Sequence, residues 1–196
     1  MDRDSRLGTQ GSGLTQAEAE GRDRGLVIVH TGNGKGKTTA ALGLALRAVG
    51  QGMRVAMIQF IKGSWRTGEQ AAAKLLGEQF ELHTMGLGFT RRHPGYSKEK
   101  NQAAAARALA AAREKLTSGA YDLVILDEIN YAIEYDLIQV GEVLDLIAAK
   151  PPAVHLVLTG RHARPEVIER ADLVTEMQAV KHPFTEGGIA RRGIEF

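Results

Sequence analysis

Residues Thr31-Gly32-Asn33-Gly34-Lys35-Gly36-Lys37-Thr38-Thr39 join an apolar run, Leu26-Val27-Ile28-Val29, to a helical pattern from Ala40 to Val49. A strand that turns through glycines into a helix opening on Gly-Lys-Thr is built to cradle phosphate. Glycines let backbone N–H groups approach phosphate oxygens without a Cβ in the way. The helix N-terminus adds a partial positive charge. Lys37 is placed to reach the terminal phosphates, and the Thr38 hydroxyl to sit on Mg²⁺. The stretch therefore predicts binding of a nucleoside triphosphate. It departs from the strict pattern at one position. Thr31 stands where a glycine is expected, Gly32 comes one residue late, and Lys35 adds a cation to the loop.

A second stretch, Leu123-Val124-Ile125-Leu126-Asp127-Glu128, ends an apolar run in two carboxylates. That is the metal-side strand of phosphate-loop proteins, with Asp127 or Glu128 holding Mg²⁺ directly or through water. Either acid alone would more often be a cap or a solvated charge; the phosphate loop tips the reading towards metal. Thr159-Gly160-Arg161 follows another apolar run, Val154–Leu158. Arg161 reads either as a rigid fork on phosphate or as a surface arginine in a turn. Trp65, close to Lys62, reads either as a ligand platform or as packing against a helix. On residue type alone, Phe89 reads as a core residue. Six histidines (His30, His83, His93, His155, His162 and His182) show no metal-ligand pairing such as His-x-x-x-His, which argues against a histidine metal site. His155 reads as a satisfied core histidine and His182 as a group able to meet phosphate.

These residues need a frame to position them. From Gly25 onward strand-like and helix-like segments alternate. Strands are predicted at Leu26–His30, Arg54–Ile61, Phe80–Thr84, Leu123–Leu126, Val154–Leu158 and Leu173–Met177. Helices are predicted at Lys37–Val49, Glu69–Leu76, Lys98–Leu116, Val140–Ala148 and from Pro165 to Ala171. Gly86 to Tyr96 reads as a loop. The alternation implies an α/β fold with a mostly parallel central sheet and helices on both faces. Ligands in such sheets bind at the carboxyl ends of the strands, where the phosphate loop, Asp127, Glu128 and Arg161 fall. Residues 1–24 read as a polar tail, although Thr15-Gln16-Ala17-Glu18 fits a capping box and a short helix to about Gly21. Residues 25–196 read as one catalytic domain.

Composition narrows the class. The chain has 196 residues, 43% of them hydrophobic, and a formal net charge of +2. A core is affordable, and the charge is too balanced to predict a nucleic-acid or membrane partner. With no cysteine, a disulfide, a thiolate nucleophile or a cysteine metal site is excluded. No apolar run is long enough to span a bilayer and no signal-peptide core is visible, so the chain reads as cytoplasmic.

The phosphate loop, together with Gln59-Phe60-Ile61-Lys62-Gly63, Gly88-Phe89-Thr90, Leu126-Asp127-Glu128-Ile129-Asn130-Tyr131, Thr159-Gly160-Arg161 and Val180-Lys181-His182, resembles the P-loop ATP:corrinoid adenosyltransferases in order and spacing. The resemblance covers Gly25 to Phe196. It implies a RecA-like P-loop NTPase fold and an unusual use of it. Corrinoid cobalt reduced to Co(I) attacks the 5′-carbon of ATP, which lies reversed relative to ordinary P-loop enzymes, and triphosphate leaves. It implies a nucleotide site of Gly32, Asn33, Gly34, Lys35, Gly36, Lys37, Thr38, Thr39 and Arg161, with Lys37, Thr38 and Glu128 as the catalytic set. Thr38, Asp127 and Glu128 fall on the metal side, for Mg²⁺ or for Mn²⁺ in its place. Phe89, Arg91 and Tyr131 fall on the corrinoid side. In the family the aromatic matched by Phe89 packs on the lower corrinoid face and helps exclude the lower axial ligand. Where the family often has a second aromatic two residues later, this chain has Arg91, which can stack but brings charge. A flavoprotein reductant and a homodimer are implied as partners.

Two other classes fit parts of the sequence. An ordinary P-loop phosphotransferase or NTPase explains Thr31–Thr39 and Leu123–Glu128, and predicts ADP and phosphate as products. A nucleotide-gated module that delivers corrinoid without chemistry predicts no product.

Overall fold

The computed structural model describes residues 24–63, 67–88, 95–182 and 191–194. The suggested helix after Thr15, together with Trp65, Phe89 and Arg91, lies outside them. In chain order the elements are β1 (Val27–Thr31), α1 (Lys37–Gly50), β2 (Val55–Gln59), α2 (Gly68–Leu75), a 3₁₀ turn (Gly77–Gln79) and β3 (Phe80–Thr84). There follow α3 (Lys98–Thr117), β4 (Leu123–Asp127), α4 (Ile129–Glu134), α5 (Val140–Ala148), β5 (His155–Thr159), α6 (Pro165–Ile168) and β6 (Leu173–Glu176).

The strands form one six-stranded sheet in the order β3-β2-β4-β5-β1-β6. Every pairing is parallel. The apolar runs explain why: β1, β2 and β4 are buried at all five positions, as strands covered on both faces must be. On one face Val29, Ile58, Leu126 and Leu158 pack with Ala105, Ala108 and Ala112 of α3 and with Val143 and Leu146 of α5. On the other, Ile28, Met57, Ile125 and Val157 pack with Ala41 and Ala45 of α1 and Ala73 of α2. Alanines at these helix positions let the backbone lie close on the sheet. Each fully buried Val, Leu or Ile contributes about 1.5–3 kcal/mol.

Two boundaries depart from the sequence reading by more than one residue, and one helix is additional. The second strand ends at Gln59, not Ile61, because the chain turns aside there to run against the segment that leaves β3. Met85 N–H donates to Gln59 O at 3.0 Å and Gly88 N–H to Ile61 O at 2.9 Å. A Cβ on Gly86 would lie 2.3 Å from the Ile61 carbonyl carbon, so glycine is needed for this approach. The helix begun by Pro165 closes at Ile168, short of Ala171. Helix α4 was not expected, since its six residues carry too little periodicity to read.

At the carboxyl end of the sheet the α1 face changes character. Below it stand Leu82, Met57, Ile125, Val157 and Ile28. One step further, the same alternation places Thr84, Gln59, Asp127, Thr159, His30 and Thr175, one polar side chain from each strand. The register confirms the row, with Gln59 opposite Thr84 and Asp127, and His30 opposite Thr159 and Thr175.

Candidate active site

The phosphate loop leaves β1 at Thr31 and enters α1 at Lys37, with Gly36 as N-cap in the left-handed region. The first turn of α1 has no acidic residue, so its positive end is left for an external anion. Lys37 Nζ curls back over the loop and donates to Gly32 O at 2.8 Å and to Gly34 O. Burial, and after it the charge of Arg161, lowers the Lys37 pKa, while Glu128 opposes the shift.

The loop is clamped by the chain that leaves β6. Met177 N–H donates to Thr31 O at 2.9 Å, and Gly34 N–H donates to Met177 O at 2.6 Å. Gly32 has φ 92°, and a Cβ on it would lie 2.4 Å from Met177 O. A Cβ on Gly34 would lie 2.7 Å from the Gln178 carbonyl carbon. These glycines therefore serve a contact with the protein itself. The Gly34 amide, expected from sequence to face phosphate, is instead spent on Met177. The first-turn amides of α1, from Lys37 on, have no intrahelical partner by construction.

Asp127 is fully buried at the end of β4. Its Oδ1 accepts from Thr38 Oγ1 and from Thr159 Oγ1, both at 2.8 Å. Its Oδ2 accepts from Gln59 Nε2 at 3.1 Å. Gln59 is oriented in turn, because its Oε1 accepts from Thr84 Oγ1 at 3.1 Å. Gln59 Nε2 also approaches Glu69 Oε1 at 3.4 Å, and Lys62 Nζ donates to that same oxygen. Glu128 follows with φ 62°, capping α4 from the left-handed region. Burial, and then the Asp127 charge, pushes its pKa up to about 7, against the pull of Lys62, Lys37 and Arg161. A carboxylate pressed towards neutrality among cations that only partly compensate it suits a further cation.

Among the described residues no three His, Cys, Asp or Glu side chains form a ready-made metal cage. The donors present are a hydroxyl and carboxylates beside a phosphate cradle. That set fits Mg²⁺, which keeps waters and phosphate oxygens in its shell.

One cleft of about 940 Å³ gathers the loop from Gly34 to Thr39, Lys62, Glu69, Glu128, Tyr131, Arg161 and His182. Leu42 and Leu46 of α1 form its apolar side. Arg161 thus reaches the cleft, as the phosphate reading requires, and Tyr131 faces it from α4. Tyr131 has a raised pKa, first from burial. His155 is elsewhere, at the amino end of β5, where its Nδ1 accepts from Leu26 N–H at 3.1 Å as a satisfied structural histidine. Sequence reasoning gave no role to Thr159, Gln59 or Thr84. The available signal was a polar residue closing each apolar run.

A phosphate loop on β1, a carboxylate strand β4 and one strand, β5, between them define a RecA-like P-loop α/β protein. FlaH, the flagellar accessory protein of Methanocaldococcus jannaschii, shares this fold at a TM-score of 0.50 and 15% identity, over 83% of this chain and 77% of its own. The family model for ATP:corrinoid adenosyltransferase BtuR/CobO/CobP matches residues 23–196. The corrinoid adenosyltransferase of Pseudomonas aeruginosa is 44% identical over 179 residues, 91% of this chain and 87% of its own. That of Escherichia coli K12 is 40% identical over 183 residues, 93% and 90% of the two chains. The chain belongs to the ATP:corrinoid adenosyltransferase family, and it is a transferase.

Proposed function

We propose that this protein transfers the 5′-deoxyadenosyl group of ATP to the Co(I) of a reduced corrinoid, in the synthesis or salvage of adenosylcobalamin. The observation behind the reading is the convergence of the phosphate loop, Glu128, Tyr131, Arg161 and His182 in one cleft, in a chain of this family. The cobalt electron pair forms the Co–C bond at the 5′-carbon. The C–O bond breaks, and its pair departs with triphosphate. No proton need move, so the protein's work is to hold, align and stabilise charge. Lys37, the first-turn amides of α1 and Arg161 hold the triphosphate as its negative charge grows. Thr38 and Glu128 would hold Mg²⁺, or Mn²⁺ in its place, with Asp127 behind the Thr38 hydroxyl; the ion would neutralise part of the leaving charge. Tyr131, with Phe89 and Arg91, takes the corrinoid side. A flavoprotein supplies the electrons, and the enzyme acts as a cytoplasmic homodimer. Of the described helices, none is long and apolar enough to cross a membrane.

The test is anaerobic incubation with ATP, Mg²⁺ and chemically reduced cobalamin. The expected products are adenosylcobalamin and triphosphate in equal amounts. ADP with phosphate would make the protein a phosphotransferase or NTPase, and retained corrinoid with no product would make it a carrier.

A further inference from the structure

Thr159 stands inside the polar row, between Asp127 and His30, and is fully buried. Its hydroxyl makes two hydrogen bonds of opposite sense. It donates to Asp127 Oδ1 at 2.8 Å and accepts from Glu128 N–H at 2.9 Å. A hydroxyl has one proton, so donation to the carboxylate leaves a lone pair for the amide. One side chain on β5 thereby fixes both consecutive carboxylate residues at the end of β4.

The second bond matters because of where Glu128 sits. At φ 62° it occupies the left-handed region, which a residue with a Cβ keeps only where its surroundings hold it there. Its carbonyl is engaged by Tyr131 N–H at 3.1 Å and Ala132 N–H at 3.2 Å, which begin α4. Its amide has Thr159. Removing the hydroxyl would orphan that amide and take one of the two donors from Asp127 Oδ1. The Glu128 turn would be free to relax, and its carboxylate to leave the Thr38 side of the cleft.

We propose that Thr159 is the positioning residue for the metal-side pair: it sets the geometry of Asp127 and Glu128, and so the affinity for the divalent cation that accompanies the nucleotide, while touching neither cation nor nucleotide. The proposal rests on reading Asp127 and Glu128 as the metal side.

The test is calorimetric titration of the full-length protein with ATP, in excess Mg²⁺ and in EDTA, for wild type, Thr159→Val and Thr159→Ser. Valine keeps the shape and removes the hydroxyl; serine keeps the hydroxyl. The expected result is that Thr159→Val weakens ATP binding in Mg²⁺ by about tenfold or more, in line with other groups that orient metal ligands. Binding in EDTA stays unchanged, and serine restores the Mg²⁺ advantage. A merely structural role would not move the Mg²⁺-to-EDTA ratio, so an unchanged ratio in Thr159→Val overturns the proposal. If valine gives no cooperative melt, Thr159→Cys, a weak donor, takes its place, and an unchanged ratio there overturns it equally. A wild-type protein indifferent to Mg²⁺ would instead remove the metal-side reading itself.

Discussion

At the scale of single residues, the polar row divides into groups that are satisfied and one that is not. Asp127 is held by Thr38, Thr159 and Gln59. His30, in the same row and 6% exposed, has no hydrogen-bond partner at either ring nitrogen among the described residues. Burial lowers its pKa, so the folded protein keeps the ring neutral at a pH where the unfolded chain protonates it. The unfolded state then binds more protons, and stability is lost as pH falls below about 6.5 towards the lowered folded value. His30→Leu, apolar and close in volume, should therefore hold or raise stability at pH 7.5 by about 1 kcal/mol. It should also flatten the loss between pH 7 and 5, as read by urea melts at each pH. A loss of about 2 kcal/mol or more at pH 7.5 would mean that the ring has a partner. This feature was hidden in the sequence. His30 was visible as a histidine closing an apolar strand, but whether its nitrogens are paired depends on neighbours contributed by other strands.

At the scale of elements, the phosphate loop and the segment after β6 behave as one unit. The loop's own pattern, glycines before Gly-Lys-Thr, was legible because strand, turn and helix are consecutive. Its clamp was not, since Met177 lies far away in sequence and arrives only through the parallel pairing of β1 with β6. The same limit explains the early end of β2 and the glycine at position 86, both set by a neighbouring backbone. Gly34→Ala tests the unit. Its Cβ would meet Gln178 backbone, and relief of such a clash costs about 1–3 kcal/mol. Nucleotide affinity should fall about tenfold, and trypsin should cut more readily at Lys181 in the ligand-free protein. Unchanged affinity with an unchanged digestion pattern would show that the loop and the β6 extension are independent. A second tie is electrostatic. Glu81 on β3, held at a pKa of about 2 by hydrogen bonds first from Lys115 of α3 and then from Tyr121, links the edge strand to a helix. Its depressed value stabilises the fold above the ordinary carboxylate range and is lost as pH falls through that range towards 2. At its exposure the tie is worth about 1 kcal/mol. Glu81→Gln should cost that much at pH 7 and nothing near pH 2, by thermal or urea melts.

At the scale of the whole molecule, the fold works by bringing strand ends together. The carboxylates of β4 and the loop after β1 are separated by β5, whose last residue, Thr159, bonds to Asp127. The parallel α/β class was legible, because runs buried on both faces must be near-continuously apolar and such runs recurred between helical segments. The strand order was not, since alternation fixes the sequence of elements but not which strands are neighbours. The convergence of the loop, Glu128 and Arg161 was expected from their shared place at carboxyl ends. The sheet delivers it in one cleft. Because that cleft is assembled from several strands and α1, nucleotide bound there stabilises the assembled state only. At about 100 times Kd, MgATP should add roughly 2.7 kcal/mol. For a domain of this size that raises Tm by about 5–10 °C. Lys37→Ala removes a charge-assisted contact to triphosphate worth about 1.5–3 kcal/mol. It also frees the carbonyls of Gly32 and Gly34, buried residues of a loop whose Asn33 and Lys35 are exposed, and water entering the space left by the side chain is expected to replace the ammonium. The variant should therefore melt within a few degrees of the ligand-free wild type, yet lose most of the MgATP shift. A full shift in a well-folded Lys37→Ala protein would place the nucleotide away from the phosphate loop. Loss of the ligand-free melt itself would show that Lys37 is chiefly a structural tie for the loop.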